Sequence, residues 1–161
     1  MSTYIRIVDA ATRFLGVVAI GLLIAAVLVV TEMVFVRYVI QGSTVWQTEF
    51  ATFSLVAVTF LGSPYVLLHK GHVNVDLLQN VVGRGPRTAL QLLSGILSIF
   101  FCALLAWSGW DYFHEALVNR WTTETVWKLP LWIPLLPLPV GIGMLCLQYV
   151  AELLKLKDDK L

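Results

Sequence analysis

The chain has 161 residues, of which 58% are hydrophobic and only 13% are charged, and its formal net charge is +1. Soluble domains average about 25% charged residues, so this composition excludes an ordinary water-soluble domain and favours surfaces that face a lipid bilayer or another membrane protein. The small net charge gives no support for nucleic-acid binding, and we expect no nucleic-acid partner.

Four apolar runs predict transmembrane helices, because a helix needs roughly 20 apolar residues to cross about 30 Å of hydrocarbon. A backbone exposed to lipid must form its hydrogen bonds internally, which favours helices over strands. The predicted helices cover residues 14–38, 46–69, 87–110 and 132–154. We therefore predict an all-α fold, with residues 1–161 forming a single four-helix transmembrane domain.

The distribution of basic residues predicts the orientation of this domain. Eight of the 11 Lys and Arg residues lie near the two termini or in the loop between helices two and three, and three lie on the other side. The positive-inside rule therefore places both termini in the cytoplasm. The loop over 111–131 then faces outward, and its tryptophans suit the membrane interface.

Charged residues near the outer ends of the first two helices are the first candidates for a functional site. The loop over 39–45 is short, so Arg37 and Glu49 can meet at a similar depth, and a structural ion pair is our preferred interpretation. A cation or proton site that includes Glu32 is the alternative, because charges inside a membrane are costly and often functional. The uncharged central turns of all four helices disfavour an independent ion-coupled pump.

The segment after helix two is amphipathic, and residues 74–82 are predicted to form a short interfacial helix. His69 and His72 have a spacing that can bind a metal on a helix. Gly71 lies between them, and no cysteine or carboxylate supports them, so we expect no metal and no cofactor. The hydroxyls of Thr52 and Thr59 on helix two are expected to bond to their own helix.

Helix three carries a stripe of small residues, which lets helix backbones approach closely. The stripe fits packing within the domain or a contact with a partner subunit, and it consists of Ser94, Ser98, Cys102, Ala106 and Gly109. Cys102 and Cys146 are predicted to differ in depth by about 9 Å at 1.5 Å per residue, and therefore to remain free thiols.

The outer end of helix four contains four prolines, Pro130, Pro134, Pro137 and Pro139. Proline removes a backbone hydrogen bond inside a helix. We therefore expect an irregular start that is covered by protein, followed by close packing at Gly141 and Gly143.

Several short motifs recur in the order expected for one known family. Arg37-Tyr38 is followed by Trp46 and Glu49 in WQTEF, and then by Thr59-Phe60-Leu61-Gly62. The clearest motif is KGHVNVD over 70–76, and the last ones are Leu129-Pro130-Leu131-Trp132 and Pro139-Val140-Gly141. In these motifs the chain resembles the small membrane subunit (DctQ-type) of tripartite ATP-independent periplasmic (TRAP) transporters. It departs from the family at Thr48, where many members are acidic, and at Ala57, where many have tryptophan.

The resemblance implies a bacterial inner-membrane scaffold that is not an enzyme. Such a subunit packs beside a large membrane subunit, which holds the sodium and substrate sites, and helps to dock a periplasmic substrate-binding protein for sodium-coupled uptake (symport) of organic anions. The candidate structural or interface residues are Arg37, Trp46, Glu49, Gly62, Gly71, His72, Asp76, Pro139 and Gly141.

A second hypothesis is a self-sufficient small channel or carrier that assembles as a homo-oligomer. Its pore would be lined by Glu32, Glu49, Thr52 and Thr59. A haem protein is disfavoured, because no histidines are predicted at facing depths inside the four helices.

Overall fold

The computed structural model describes residues 2–69 and 84–158, which form helices joined by short loops. Within these residues, four helices are long and apolar enough to cross a membrane, over Thr3–Ile40, Val45–Leu68, Leu93–Val118 and Trp132–Lys155. The prediction of an all-α chain with four such helices is confirmed. The predicted interfacial helix over 74–82 lies outside the described residues.

Helix α1, Ser2–Phe35, begins twelve residues before the predicted start at residue 14. Its 34 residues correspond to about 51 Å at 1.5 Å per residue, well beyond the roughly 30 Å of a hydrocarbon core. Val8 and Thr12 are buried in the first three turns, and the Thr12 hydroxyl donates to Gln148 near the end of the chain, a tertiary contact that supports helix formation there. A π-helical turn, Val36–Ile40, ends α1.

The other helices also depart from the predicted boundaries. Helix α2 spans Val45–Leu68, and α3 spans Arg84–Val118, so α3 continues eight residues past the predicted end at 110. A four-residue helix α4, Trp132–Leu135, precedes α5, Pro137–Asp158. The break at Leu136 confirms the irregular start predicted for the fourth membrane helix. The predicted cover by protein is found at Pro134, which is buried, but not at Trp132, Ile133 and Leu136, which are exposed.

Helix α5 is the centre of the arrangement. It contacts α1, α2 and α3, whereas α1 and α2 pack along each other as a hairpin. Among the described elements, α3 packs only against α4 and α5. The described helices therefore do not close into a ring, and over residues 93–118 most of the surface of α3 faces away from the other described helices.

Two glycines set the spacing around α5. A Cβ atom placed on Gly141 would lie 2.3 Å from the carbonyl oxygen of Phe60, so α2 and α5 touch backbone to backbone there. A Cβ atom on Gly109 would lie 3.0 Å from Leu138. These contacts confirm the close packing predicted at Gly141. The same prediction for Gly143 is wrong, because a Cβ atom there has nothing within 4 Å.

The small-residue stripe of α3 has two parts. Cys102 and Gly109 are buried, and Gly109 packs against Leu138 of α5, so the outer part of the stripe packs within the chain. Ser94 and Ser98 instead line an open depression on α3 itself. Packing within the domain therefore accounts for the outer part of the stripe only.

Candidate functional site

The end of the molecule that the sequence predicts to face outward is organised by Glu49, near the start of α2. One oxygen of its carboxylate accepts a hydrogen bond from the hydroxyl of Thr125, in the loop over 119–131, which we call the outer loop. The Oε2 atom of Glu49 is buried and has no hydrogen-bond partner among the described residues. The hydroxyls of Thr125 and Thr123 are 3.2 Å apart, and Thr123 Oγ1 accepts the N–H of Leu129 at 3.0 Å.

Aromatic rings and backbone bonds hold the outer loop in this position. The rings of Trp46 and Trp127 meet edge to face with centroids 6.4 Å apart. Within the loop, the N–H of Leu131 donates to the carbonyl of Trp121 at 2.9 Å. The loop is therefore folded over the start of α2.

The predicted ion pair between Arg37 and Glu49 is wrong. Arg37 is exposed, and the ion pairs found within residues 2–69 and 84–158 all involve Lys155 at the opposite end of the molecule. The physical reason is the direction of the side chains: Arg37 lies on the π-helical turn, while Glu49 faces the outer loop.

A buried amide, Gln47, lies beside Glu49 and was not singled out from the sequence. Only 2% of its surface is exposed, and its Nε2 donates to Glu32 Oε2 at 3.2 Å. The carboxylate of Glu32, at the outer end of α1, is therefore bound by α2. Glu32 and Gln47 link the two helices where an ion pair was expected.

The hydrogen bond between Thr125 and Glu49 is expected to protect the outer loop from proteolysis. We expect Thr125→Val to expose the loop to trypsin, which would cut after the exposed Arg120 and Lys128. A hydrogen bond to a charged group contributes about 1.5–3 kcal/mol, so cleavage of detergent-solubilised protein should accelerate roughly tenfold or more.

Thr122→Val is the matched control, because Thr122 is exposed in the same loop. Equal cleavage rates for the two variants would show that the Thr125 hydroxyl does not hold the loop.

The opposite end of the molecule contains a buried polar network between α1 and α5. Gln148 is fully buried; its Oε1 accepts the hydroxyl of Thr12 at 2.8 Å, and its Nε2 donates to Asp9 at 3.1 Å. Lys155 Nζ lies 3.1 Å from both oxygens of Asp9 and 2.8 Å from Glu152. This inner network joins the beginning and the end of the chain.

Sequence reasoning missed the inner network because Gln148 lies in an otherwise apolar run. The available signal was the spacing of Gln148, Glu152 and Lys155, which places three polar side chains on one face of a helix. Asp9 and Thr12 have a matching spacing on α1.

The predicted separation of the two cysteines is wrong. Gly95 and Gly109 of α3 lie against Leu153 and Leu138 of α5, and the two cysteines are midway between these contacts, so they lie at a similar depth. The depth estimate failed because α3 extends to Val118, which moves its centre to the level of Cys102. Both cysteines are free thiols.

The remaining candidate residues lie in different places. The hydroxyls of Thr52 and Thr59 each bond to the carbonyl four residues earlier at 2.9 Å, as predicted. A Cβ atom on Gly62 would meet Ala19 at 3.8 Å, and Pro139 lies beside Gly109. Gly71, His72 and Asp76 are outside the described residues. The described part of the chain contains no group of three His, Cys, Asp or Glu side chains that could hold a metal ion.

The sequence pattern of one family covers most of this architecture. The family described as "Tripartite ATP-independent periplasmic transporters, DctQ component" matches residues 26–158, from the middle of α1 to the end of α5. The chain belongs to the DctQ family. This DctQ-family chain is therefore a multi-pass membrane component of a transporter.

Two curated relatives are similar to this DctQ-family chain. The C4-dicarboxylate TRAP transporter small permease protein DctQ of Vibrio cholerae serotype O1 is 24% identical over 138 residues, which cover 73% of this chain and 60% of that protein. The isethionate TRAP transporter permease protein DctMQ of Oleidesulfovibrio alaskensis is 20% identical over 137 residues, covering 81% of this chain and 21% of that protein. The chain thus spans less than two thirds of the length of either relative. No solved structure matches it.

Proposed function

We propose that this chain is the small permease subunit of a TRAP transporter, a non-catalytic scaffold in the bacterial inner membrane with both termini in the cytoplasm. The observation that carries the proposal is the position of the polar groups. The inner network lies at one end of the molecule, and the polar contacts of Glu32, Gln47 and Glu49 lie at the other. The helical turns between the two ends contain no Asp, Glu, Lys, Arg or His. Coupled carriers normally place such groups near the bilayer midplane, at interrupted helices.

The open faces of α3 support a large membrane partner. Phe101, Leu104 and Trp107 are 62%, 53% and 73% exposed, and within the described residues α3 packs only against α4 and α5. The relative named permease protein DctMQ is several times longer than the region that matches this chain. This length favours a role for the chain beside a larger permease part. We assign the sodium and organic-anion sites to that partner.

The ordered outer loop supports a second part of the role, which is docking of a periplasmic substrate-binding protein. The loop is held on α2 through Glu49 and Trp46, so it presents a defined surface. Exposed charges of both signs, among them Arg37, Arg120 and Glu124, lie at this end of the molecule and are available to a partner surface.

The contacts do not favour the alternative of a homo-oligomeric channel. The proposed pore residues are already engaged: Glu49 binds Thr125, and Glu32 binds Gln47. The hydroxyls of Thr52 and Thr59 bond to their own backbone. A chain that conducts ions alone would need such groups free to face a water-filled path.

Reconstitution into liposomes tests the proposed function. We expect sodium-driven organic-anion uptake only when this chain, its large permease subunit and the binding protein are all present. The chain alone should transport nothing, yet it should co-purify with the large subunit. Uptake by the chain alone, or unchanged uptake when it is omitted, would overturn the scaffold role.

A further inference from the structure

An apolar groove of about 340 Å³ runs between α1 and α2 on the surface of the molecule. The lining residues that matter here are Gly16, Ile20, Val58, Thr59, Gly62 and Val66. The hydroxyl of Thr59 bonds to Leu55 O at 2.9 Å, so it is already engaged within its own helix. The α1–α2 groove therefore suits a hydrocarbon chain.

One end of the α1–α2 groove is fixed by the contact between Gly16 and Tyr65. A Cβ atom on Gly16 would lie 2.4 Å from the Tyr65 ring, so only glycine admits the ring at this level. The imidazole of His69 stacks on that ring with centroids 4.5 Å apart. His69 is exposed and lies seven residues after Gly62, on the same face of α2 as the groove.

Arg13 lies at the same end of the groove on α1. It is exposed, precedes Gly16 by three residues, and shares a helix face with the groove residue Ile20, seven residues later. At 1.5 Å per residue, Arg13 and His69 both lie roughly 5 Å beyond the Gly16–Tyr65 level, towards the end that holds the termini. A guanidinium and an imidazole thus flank the mouth of an apolar groove.

The acidic residue nearest to Arg13 in sequence is Asp9, which forms its ion pair with another residue. Asp9 lies one turn earlier on α1, but both of its oxygens are 3.1 Å from Lys155. Arg13 forms no ion pair within residues 2–69 and 84–158. Lys155 also binds Glu152, so that network keeps one formal negative charge, and the positive charge at the mouth of the groove is that of the Arg13 guanidinium.

We propose that the α1–α2 groove binds one acyl chain of an anionic phospholipid, whose phosphate is bound by Arg13 and His69. The charge at the mouth complements a phosphate, which arginine binds through paired N–H donors. The apolar walls complement the chain attached to that phosphate. A transmembrane helix from a partner or from a second copy would match the walls but leave the positive mouth without a counter-charge.

Native mass spectrometry of the full chain tests the proposal, with phosphatidylglycerol and phosphatidylcholine of identical acyl chains as probes. We expect one tightly retained lipid per chain, with phosphatidylglycerol preferred about fivefold, because one basic side chain near an anionic headgroup contributes about that factor. Arg13→Gln should remove the preference, whereas Arg120→Gln, at the opposite end, should keep it. Equal retention of the two lipids by the unmodified chain would overturn the proposal.

A second pair of variants tests the groove itself. Thr59→Phe places a ring in the groove and should lower retention of both lipids severalfold. Thr52→Phe is the matched control, because Thr52 is exposed two turns away with the same bond to its own backbone, outside the groove. Size-exclusion profiles show whether both variants fold. If Thr59→Phe does not fold, the comparison of the two lipids on the unmodified chain still tests the proposal.

Other occupants of the groove give different outcomes. Soluble glycerol phosphate should not compete with phosphatidylglycerol, and competition would show a phosphate site without a chain site. The groove would instead be a protein interface if Thr59→Phe, but not Thr52→Phe, abolished binding of the large permease subunit or of a second copy while lipid retention stayed normal. Either result would overturn the proposal.

Discussion

Replacement of Gly141 by alanine is expected to lower the free energy of unfolding by about 1–3 kcal/mol, the usual cost of overpacking a tight contact. The added Cβ atom would lie 2.3 Å from the carbonyl oxygen of Phe60. A backbone atom cannot move aside by changing rotamer, so α2 and α5 would have to separate. Because α5 also contacts α1 and α3, the displacement would disturb the whole arrangement.

The measurement is a thermal unfolding curve of detergent-solubilised protein, monitored by the reaction of the buried Cys102 thiol with a labelling reagent. Gly143→Ala is the matched control, because a Cβ atom on Gly143 has nothing within 4 Å. That variant should keep its stability or gain up to about 1 kcal/mol from the better helix propensity of alanine. Identical melting temperatures for the two variants would contradict the backbone contact.

A second large effect is expected for Gln148→Leu, in the inner network. The leucine would leave the fully buried hydroxyl of Thr12 without its acceptor and would remove a donor from Asp9. Each buried polar group that loses its partner costs about 1–3 kcal/mol. We expect a loss of about 2–4 kcal/mol, measured by the same unfolding assay.

A double-mutant cycle separates the bond from the general cost of changing Gln148. Thr12→Val alone should destabilise the protein, because it leaves Gln148 Oε1 without a donor. The double variant should lose less stability than the sum of the single variants, by about 0.5–3 kcal/mol. Strict additivity would show that the two side chains do not act together.

The sequence predicted which segments cross the membrane but not where the helices end. Long apolar runs suffice to predict a spanning helix, because lipid leaves the backbone no other means of forming its hydrogen bonds. The ends of α1 and α3 lie in mixed polar sequence, where helix formation depends on tertiary contacts such as those of Val8, Thr12 and Ala116. Such contacts cannot be read from a single segment.

For the candidate site, the sequence predicted the depth of the residues but not the direction of their side chains. Sequence position placed Arg37 and Glu49 at a similar depth, but it could not show the direction in which each side chain points. The π-helical turn and the folded outer loop decide that direction, and they give Glu49 a threonine partner 76 positions away in the chain. Gln148 shows the same limit, because its partners Asp9 and Thr12 lie at the other end of the sequence.

The place of α3 at the edge of the molecule has a consequence for biosynthesis. Helices α1 and α2 are synthesised first, and they can pair as a hairpin as soon as both are in the membrane. The next helix, α3, then reaches the bilayer before α5, the long helix on which it packs. It must therefore remain in lipid without its packing partner until α5 has been inserted, and α5 then joins the early hairpin to α3.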